Sequence, residues 1–240
     1  MNASILWQPP AERIARAQLT RFMASASGTA GRKLETYDAL WRWSVEDRDA
    51  FWAAVWDFCE IKASRRWDVV LENGDQMPGA KWFTGARLNF TENLLLQDEP
   101  ARGALGWRGE DGARRAFTRA ELYRETAHLA GALRELGVGP GDRVAGFLPN
   151  CPEAVIAMLA AASLGATWSS CSPDFGIQGV LDRFGQIRPK VLFTADGYRY
   201  NGKRIDSMAR IRGVLQQLEC VERVVLVPFL DADPDVAALP

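Results

Sequence analysis

Histidine is almost missing from this chain: His128 stands alone among 240 residues, and the four cysteines, Cys59, Cys151, Cys171 and Cys220, lie far apart with no CxxC pair. A zinc site needs clustered Cys and His ligands and a disulfide framework needs organised Cys spacing, so neither is expected. Excess charge is missing too. The 29 Lys and Arg against 30 Asp and Glu leave a formal net charge of -1, which gives no electrostatic footprint for nucleic acid or an anionic membrane. No apolar run approaches the roughly 18 residues of a membrane span. The start, MNASILWQPPAER, lacks a basic segment followed by an apolar core, so the cytoplasm is the expected compartment. Nor is any strand followed by a dinucleotide glycine fingerprint. GVGPG, Gly137 to Gly141, leads from a helix into a strand and is read as a turn, which removes a nicotinamide-dependent dehydrogenase.

What is present is ordinary globular composition, 48% hydrophobic and 25% charged, enough for one large domain or two small ones. The clearest stretch is GDRVAGFLPNCPEAVIAMLAAASLGATWSSCSPDF, Gly141 to Phe175. Val144 to Leu148 reads as a buried strand stopped by Pro149-Asn150. Pro152 suits a first helical turn, where a missing N–H costs nothing, and Gly165 suits the end. The run from Ala154 to Ala162 predicts a helix apolar all round and therefore buried. Ala166 to Cys171 follows as a second strand, giving a right-handed parallel pair. Gly176 to Ile187 predicts another helix, Val191 to Ala195 a third parallel strand, Ile205 to Leu218 a third helix and Val224 to Val227 a fourth strand. Before this unit, Leu105 to Thr118 reads as a hairpin turning at Glu110-Asp111-Gly112. A helix then starts at the Thr118 cap, with Glu121 completing a capping box, and ends at Gly137. His128 lies off its apolar stripe, as a solvated histidine would.

The N-terminal region is less regular. Residues 1 to 36 mix Pro9-Pro10, one short helical stretch and a small-residue tract, Ala24 to Gly31, that reads as an extended arm or linker. Within them SASGTAGRK, Ser25 to Lys33, has the glycine and hydroxyl content of a phosphate loop but no preceding buried strand, so the linker reading is preferred. The aromatic-rich segment from Tyr37 predicts one helix from Val45 to Glu60 with Ser44 as its cap. Trp82 to Phe90 reads as a loop carrying apolar side chains, followed by a short helix near Thr91.

LWRWSVEDRDAFWAAVWDF (Leu40 to Phe58), WFTGARLNFTENLL (Trp82 to Leu95), the stretch from Gly137 to Gly176, VLDRFGQIRPK (Val180 to Lys190) and YNGK (Tyr200 to Lys203) together resemble the acetoacetyl-CoA synthetases, within the adenylate-forming acyl-CoA ligases. SPDFG, Ser172 to Gly176, replaces the GGFSP-like stretch usual in acetyl-CoA synthetases, which favours acetoacetate over acetate. The resemblance implies an α/β fold. A parallel sheet flanked by helices, the first part of an AMP-binding domain over 97–240, would follow a helical, aromatic-rich N-terminal region over 1–96. It also implies a ligase that activates acetoacetate with ATP and magnesium as an acyl-AMP, then passes the acyl group to CoA. The family's phosphate loop, ribose-binding acid and catalytic lysine have no matching position here, so the remaining C-terminal part of the same enzyme is the expected partner. A non-catalytic module binding CoA-like ligands or a protein is the alternative.

One part of the implied machinery is matched. The RxGR-like loop that acetyl-CoA synthetases use for the CoA nucleotide is similar to TADGYRYNGK, so the resemblance assigns CoA binding to Arg199, Tyr200, Asn201, Gly202 and Lys203. Tyr200 stands where the first arginine would be, with Arg199 placed to compensate. Lys203 keeps the second charge without arginine's bidentate fork. Ser172, Pro173, Asp174 and Phe175 follow a strand's C-terminal end and are expected to border the pantetheine path.

Overall fold

A computed structural model describes residues 6–95, 98–237 and 239. The chain divides into two compact units, Met1–Leu88 and Asn89–Pro240. Helices α1 (Ala11–Ala15), α2 (Gln18–Ala26), α3 (Tyr37–Glu46) and α4 (Arg48–Phe58) build the first unit, followed by the antiparallel strands β1 (Val69–Glu72) and β2 (Lys81–Thr84). Its core gathers Phe22, Ala26, Leu34, Leu40 and Trp43, with the Phe51 ring edge-on to both Phe22 and Trp43.

Three expectations are corrected in this unit. The single helix from Val45 to Glu60 is two helices, because Asp47 leaves helical geometry and its carboxylate accepts the Ala50 N–H as the cap of α4. Ser44 lies inside α3, donating to the Trp41 carbonyl, while Thr36 caps that helix. The stretch from Ser25 to Lys33 is not an extended arm: α2 runs to Ala26, and both Ala26 and Leu34 are buried. Ser25 and Ser27 donate to the Phe22 and Met23 carbonyls, so those hydroxyls are already engaged. Finally, Trp82 to Thr84 is strand, paired with β1 by the register Leu71↔Trp82.

The second unit opens ahead of residue 96. Asn89 caps α5 (Phe90–Leu94) and also donates to the Ala162 carbonyl at 2.9 Å, while the Thr91 hydroxyl donates to the Leu159 carbonyl. Next come the hairpin strands β3 (Gly103–Arg108) and β4 (Arg114–Thr118), and α6 (Arg119–Glu135) with its complete Thr118–Glu121 capping box. The Thr118 N–H and hydroxyl, bonding to Glu121, hold its carboxyl below the ordinary glutamate value. Strand β5 (Arg143–Phe147), helix α7 (Pro152–Ser163), strand β6 (Thr167–Cys171), helix α8 (Ile177–Ile187) and strand β7 (Val191–Ala195) follow as expected. A second hairpin, β8 (Gly197–Tyr200) and β9 (Lys203–Asp206), then precedes α9 (Met208–Leu215) and β10 (Arg223–Val227). Ile205 therefore belongs to a strand, and α9 begins where the Asp206 carboxylate accepts the Met208 N–H.

The central sheet is wholly parallel, in the order β10-β7-β5-β6. Alternation along its strands separates two cores. Val144, Val191 and Phe193 pack with Ala157, Ala160 and Leu133 from α6 and α7. On the other face Ala145, Phe147 and Leu192 pack with Val180, Phe184, Ile211 and Val214 from α8 and α9. Every residue of β7 is buried, which is why it reads as a continuous apolar run instead of an alternating one. Because β6 lies on one side of β5 and β7 on the other, the order reverses between β5 and β7, and a crevice opens beyond their C-terminal ends.

Candidate functional site

That crevice is a cleft of about 410 Å³. Pro149 to Glu153, following β5, form one wall, and Val227 to Phe229, following β10, form another. The β3–β4 hairpin closes it: the Trp107 indole donates to the Asn150 carbonyl at 2.7 Å and meets the Phe229 ring at 79°. Arg115 pairs with Glu153 in the first turn of α7, where the helix N-terminus favours a carboxylate. The second oxygen of Glu153 is buried with no hydrogen bond. Cys151 also lines the cleft, but burial pushes its thiol up to about 12, and Cys171 is raised to about 11 for the same reason. Both stay protonated near neutrality, so neither offers a thiolate nucleophile.

Asp196 fixes the wall after β10. It is only 3% exposed, and its carboxylate accepts the N–H groups of Phe229, Leu230 and Asp231 at 2.7–3.1 Å. Next to it, Gly197 is required by close approach, since a Cβ there would fall 2.4 Å from the Ile205 carbonyl oxygen. Sequence reasoning passed over Asp196. The available signal was an acid directly after a short, largely apolar strand, a position that needs donors from elsewhere.

The five residues assigned to CoA by resemblance lie on the β8–β9 hairpin at this same edge. Asn201 and Gly202 form its tip, both with positive φ, as a tight two-residue turn demands. Tyr200 is 67% exposed and Lys203 is exposed, with no carboxylate paired to Lys203 among the described residues. Arg199 reaches the cleft and pairs with Asp111 at 3.1 Å. Ser172 to Phe175 follow β6 and are held by Arg210, which donates to the Pro173 carbonyl, and by Arg183 stacked 4.1 Å over Phe175. None of those four residues lines the cleft that Arg199 reaches. Among the described residues no group of three or more His, Cys, Asp or Glu gathers to hold a metal, and no helix is long and apolar enough to cross a membrane.

A family model described as AMP-binding enzyme matches residues 96–238. The chain belongs to that family. A second model, the acetyl-coenzyme A synthetase N-terminus, matches residues 37–94 of this AMP-binding family member. An acetoacetyl-coenzyme A synthetase of Rhizobium meliloti (strain 1021) is 46% identical over 93% of the chain, and an acetoacetyl-CoA synthetase of Gallus gallus is 40% identical over 100% of it. A malonamoyl-CoA synthetase of Penicillium aethiopicum is 37% identical over 93%. In three dimensions, the acetoacetyl-CoA synthetase from Streptomyces lividans superposes over 98% of the chain with a TM-score of 0.92 at 44% identity. The chain spans about a third of these relatives' length: 34%, 36% and 31% of the curated proteins, in that order, and 36% of the solved one. The expected helix-flanked parallel sheet and the resemblance to acetoacetyl-CoA synthetases are thus both borne out.

Proposed function

We propose that this chain is the amino-terminal part of an AMP-forming ligase that activates acetoacetate with ATP and joins it to CoA, and that its β8–β9 hairpin meets the CoA nucleotide. The observation that carries this reading is the match, over almost the whole chain, to acetoacetyl-CoA synthetases in sequence and in three dimensions. Acetoacetyl and malonamoyl groups both carry a carbonyl at C3 of a short chain, so a small 3-oxo acid is the substrate class common to the named relatives. ATP and magnesium would supply the acyl-phosphate activation when bound. No residue described above is assigned to them.

The chain's own contribution is positioning. An exposed ammonium at Lys203, the N–H groups of the Asn201–Gly202 turn and the Arg199 guanidinium suit the phosphates of CoA, and the location at the C-terminal edge of a parallel sheet is where such ligands gather. CoA delivers its own thiol, which fits a cleft whose lining cysteine, Cys151, is held protonated. The reading is tested by sequencing the coding frame beyond the Pro240 codon. A continuous frame carrying a TSGTTG-like phosphate loop is the expected result. A stop codon there would replace the ligase with the non-catalytic module.

A further inference from the structure

The tip of the β8–β9 hairpin already holds an anion, and that anion belongs to the protein. Glu110, at the turn of the β3–β4 hairpin, places one carboxylate oxygen 3.2 Å from the Asn201 N–H and the other 3.2 Å from the Gly202 N–H. Its neighbour Asp111 takes the Arg199 guanidinium at 3.1 Å. Two of the three cationic or N–H groups offered to a phosphate are therefore occupied by carboxylates, and Lys203 is the group left over.

The local structure shows why this contact forms and why it can yield. Asp111 accepts the Ala113 N–H and Gly112 takes a positive φ, so the turn fixes Glu110 and Asp111 side by side at the hairpin tip. The opposing turn has two successive residues in the left-handed region, and both of its N–H groups point at the one carboxylate. Glu110, Asn201 and Gly202 are all exposed, so water screens the contact. A carboxylate carries one negative charge, whereas a phosphate monoester approaches two and presents three acceptor oxygens. The better anion wins the same donors.

We propose that Glu110 is an internal competitor for the phosphate-binding tip of the β8–β9 hairpin, displaced when a CoA phosphate binds, with Asp111 restraining Arg199 in the same way until then. This rests on the coenzyme reading of residues 199–203. It adds a negative regulator of that site drawn from a hairpin 91 positions away in sequence. It also assigns a function to the Glu110-Asp111-Gly112 turn beyond reversing the chain.

The test uses the 240-residue chain labelled with ¹⁵N, titrated with CoA and, separately, with inorganic phosphate, while the amide signals of Asn201 and Gly202 are followed. Glu110→Ala should tighten CoA roughly three- to tenfold, as expected for removing one exposed charge-assisted contact. Glu110→Gln, which keeps an acceptor but loses the charge, should fall between wild type and Glu110→Ala. Inorganic phosphate should move the same two amides only at much higher concentration. Equal CoA affinity in wild type and Glu110→Ala, with both amides moving, overturns the competition and leaves the coenzyme assignment standing. Amides that ignore CoA in both proteins overturn the coenzyme assignment and the competition with it. If inorganic phosphate binds as tightly as CoA and gains as much in Glu110→Ala, the competition holds and CoA is overturned as the source of the phosphate.

Discussion

Asp196→Ala is expected to lower the unfolding free energy by about 3 kcal/mol, from hydrogen bonds to a charged acceptor at about 1.5–3 kcal/mol each, reduced by partial rehydration of the freed donors. The side chain is 3% exposed and meets three successive backbone N–H groups, of Phe229, Leu230 and Asp231. Truncation leaves those donors facing a cavity. Phe229 and Leu230 are only partly exposed, so water cannot fully replace the lost acceptor. Asp196→Asn keeps one acceptor oxygen and should cost less, about 1–2 kcal/mol. Urea midpoints at constant m-value read both. The wall that carries Phe229 against Trp107 depends on this carboxylate, so the cleft should loosen before the sheet does. An Asp196→Ala loss under about 0.5 kcal/mol, the range of ordinary surface substitutions, would contradict the clamp.

The second large effect is an absence of chemistry. Purified 240-residue chain should show no acetoacetate-dependent exchange of pyrophosphate into ATP above a heat-killed control. Adenylation needs donors aimed at developing phosphate charge, and losing a single such donor commonly costs about 10²–10³ in rate. The glycine- and serine-rich stretch that could have supplied them, Ser25 to Lys33, closes helix α2 instead. Ser25 and Ser27 donate to carbonyls one turn back, and Ser27 also accepts the Leu34 N–H. Lys33 is exposed beside Glu35. Measurable exchange would overturn this and return Ser25 to Lys33 to the candidate machinery.

The central βαβ unit was legible because its physics is local. Pro152 opens α7, Gly165 closes it at φ +73°, and both faces of the sheet are covered, so its central strands β5 and β7 are largely apolar runs. The capping box at Thr118 was legible for the same reason. Hairpins with little burial were harder to see. β8 and β9 read as a loop although Asn201-Gly202 is a strong hairpin signal, because GYRY and KRID bury only Gly197 and Tyr198 fully. In the first unit the expected cap, Ser44, lies inside a helix, and the Asp47 carboxylate three residues on caps α4 instead. The candidate site divides in the same way. Residues 199–203 were reachable through a matched pattern. Glu110 and Asp196 were not, since what defines them is a partner 91 or 33 positions away.

If, as proposed, the β8–β9 hairpin serves CoA and not the adenylation step, Lys203→Ala in a full-length ligase carrying this chain will separate the two half-reactions. Lys203 is exposed, so screening limits its contribution, and the Michaelis constant for CoA should rise about two- to fivefold. Adenylation precedes the need for CoA, so acetoacetate-dependent pyrophosphate exchange should stay at the wild-type rate. Exchange slowed as much as thioester formation, or neither quantity changed, would rule out the proposed coenzyme role of this hairpin.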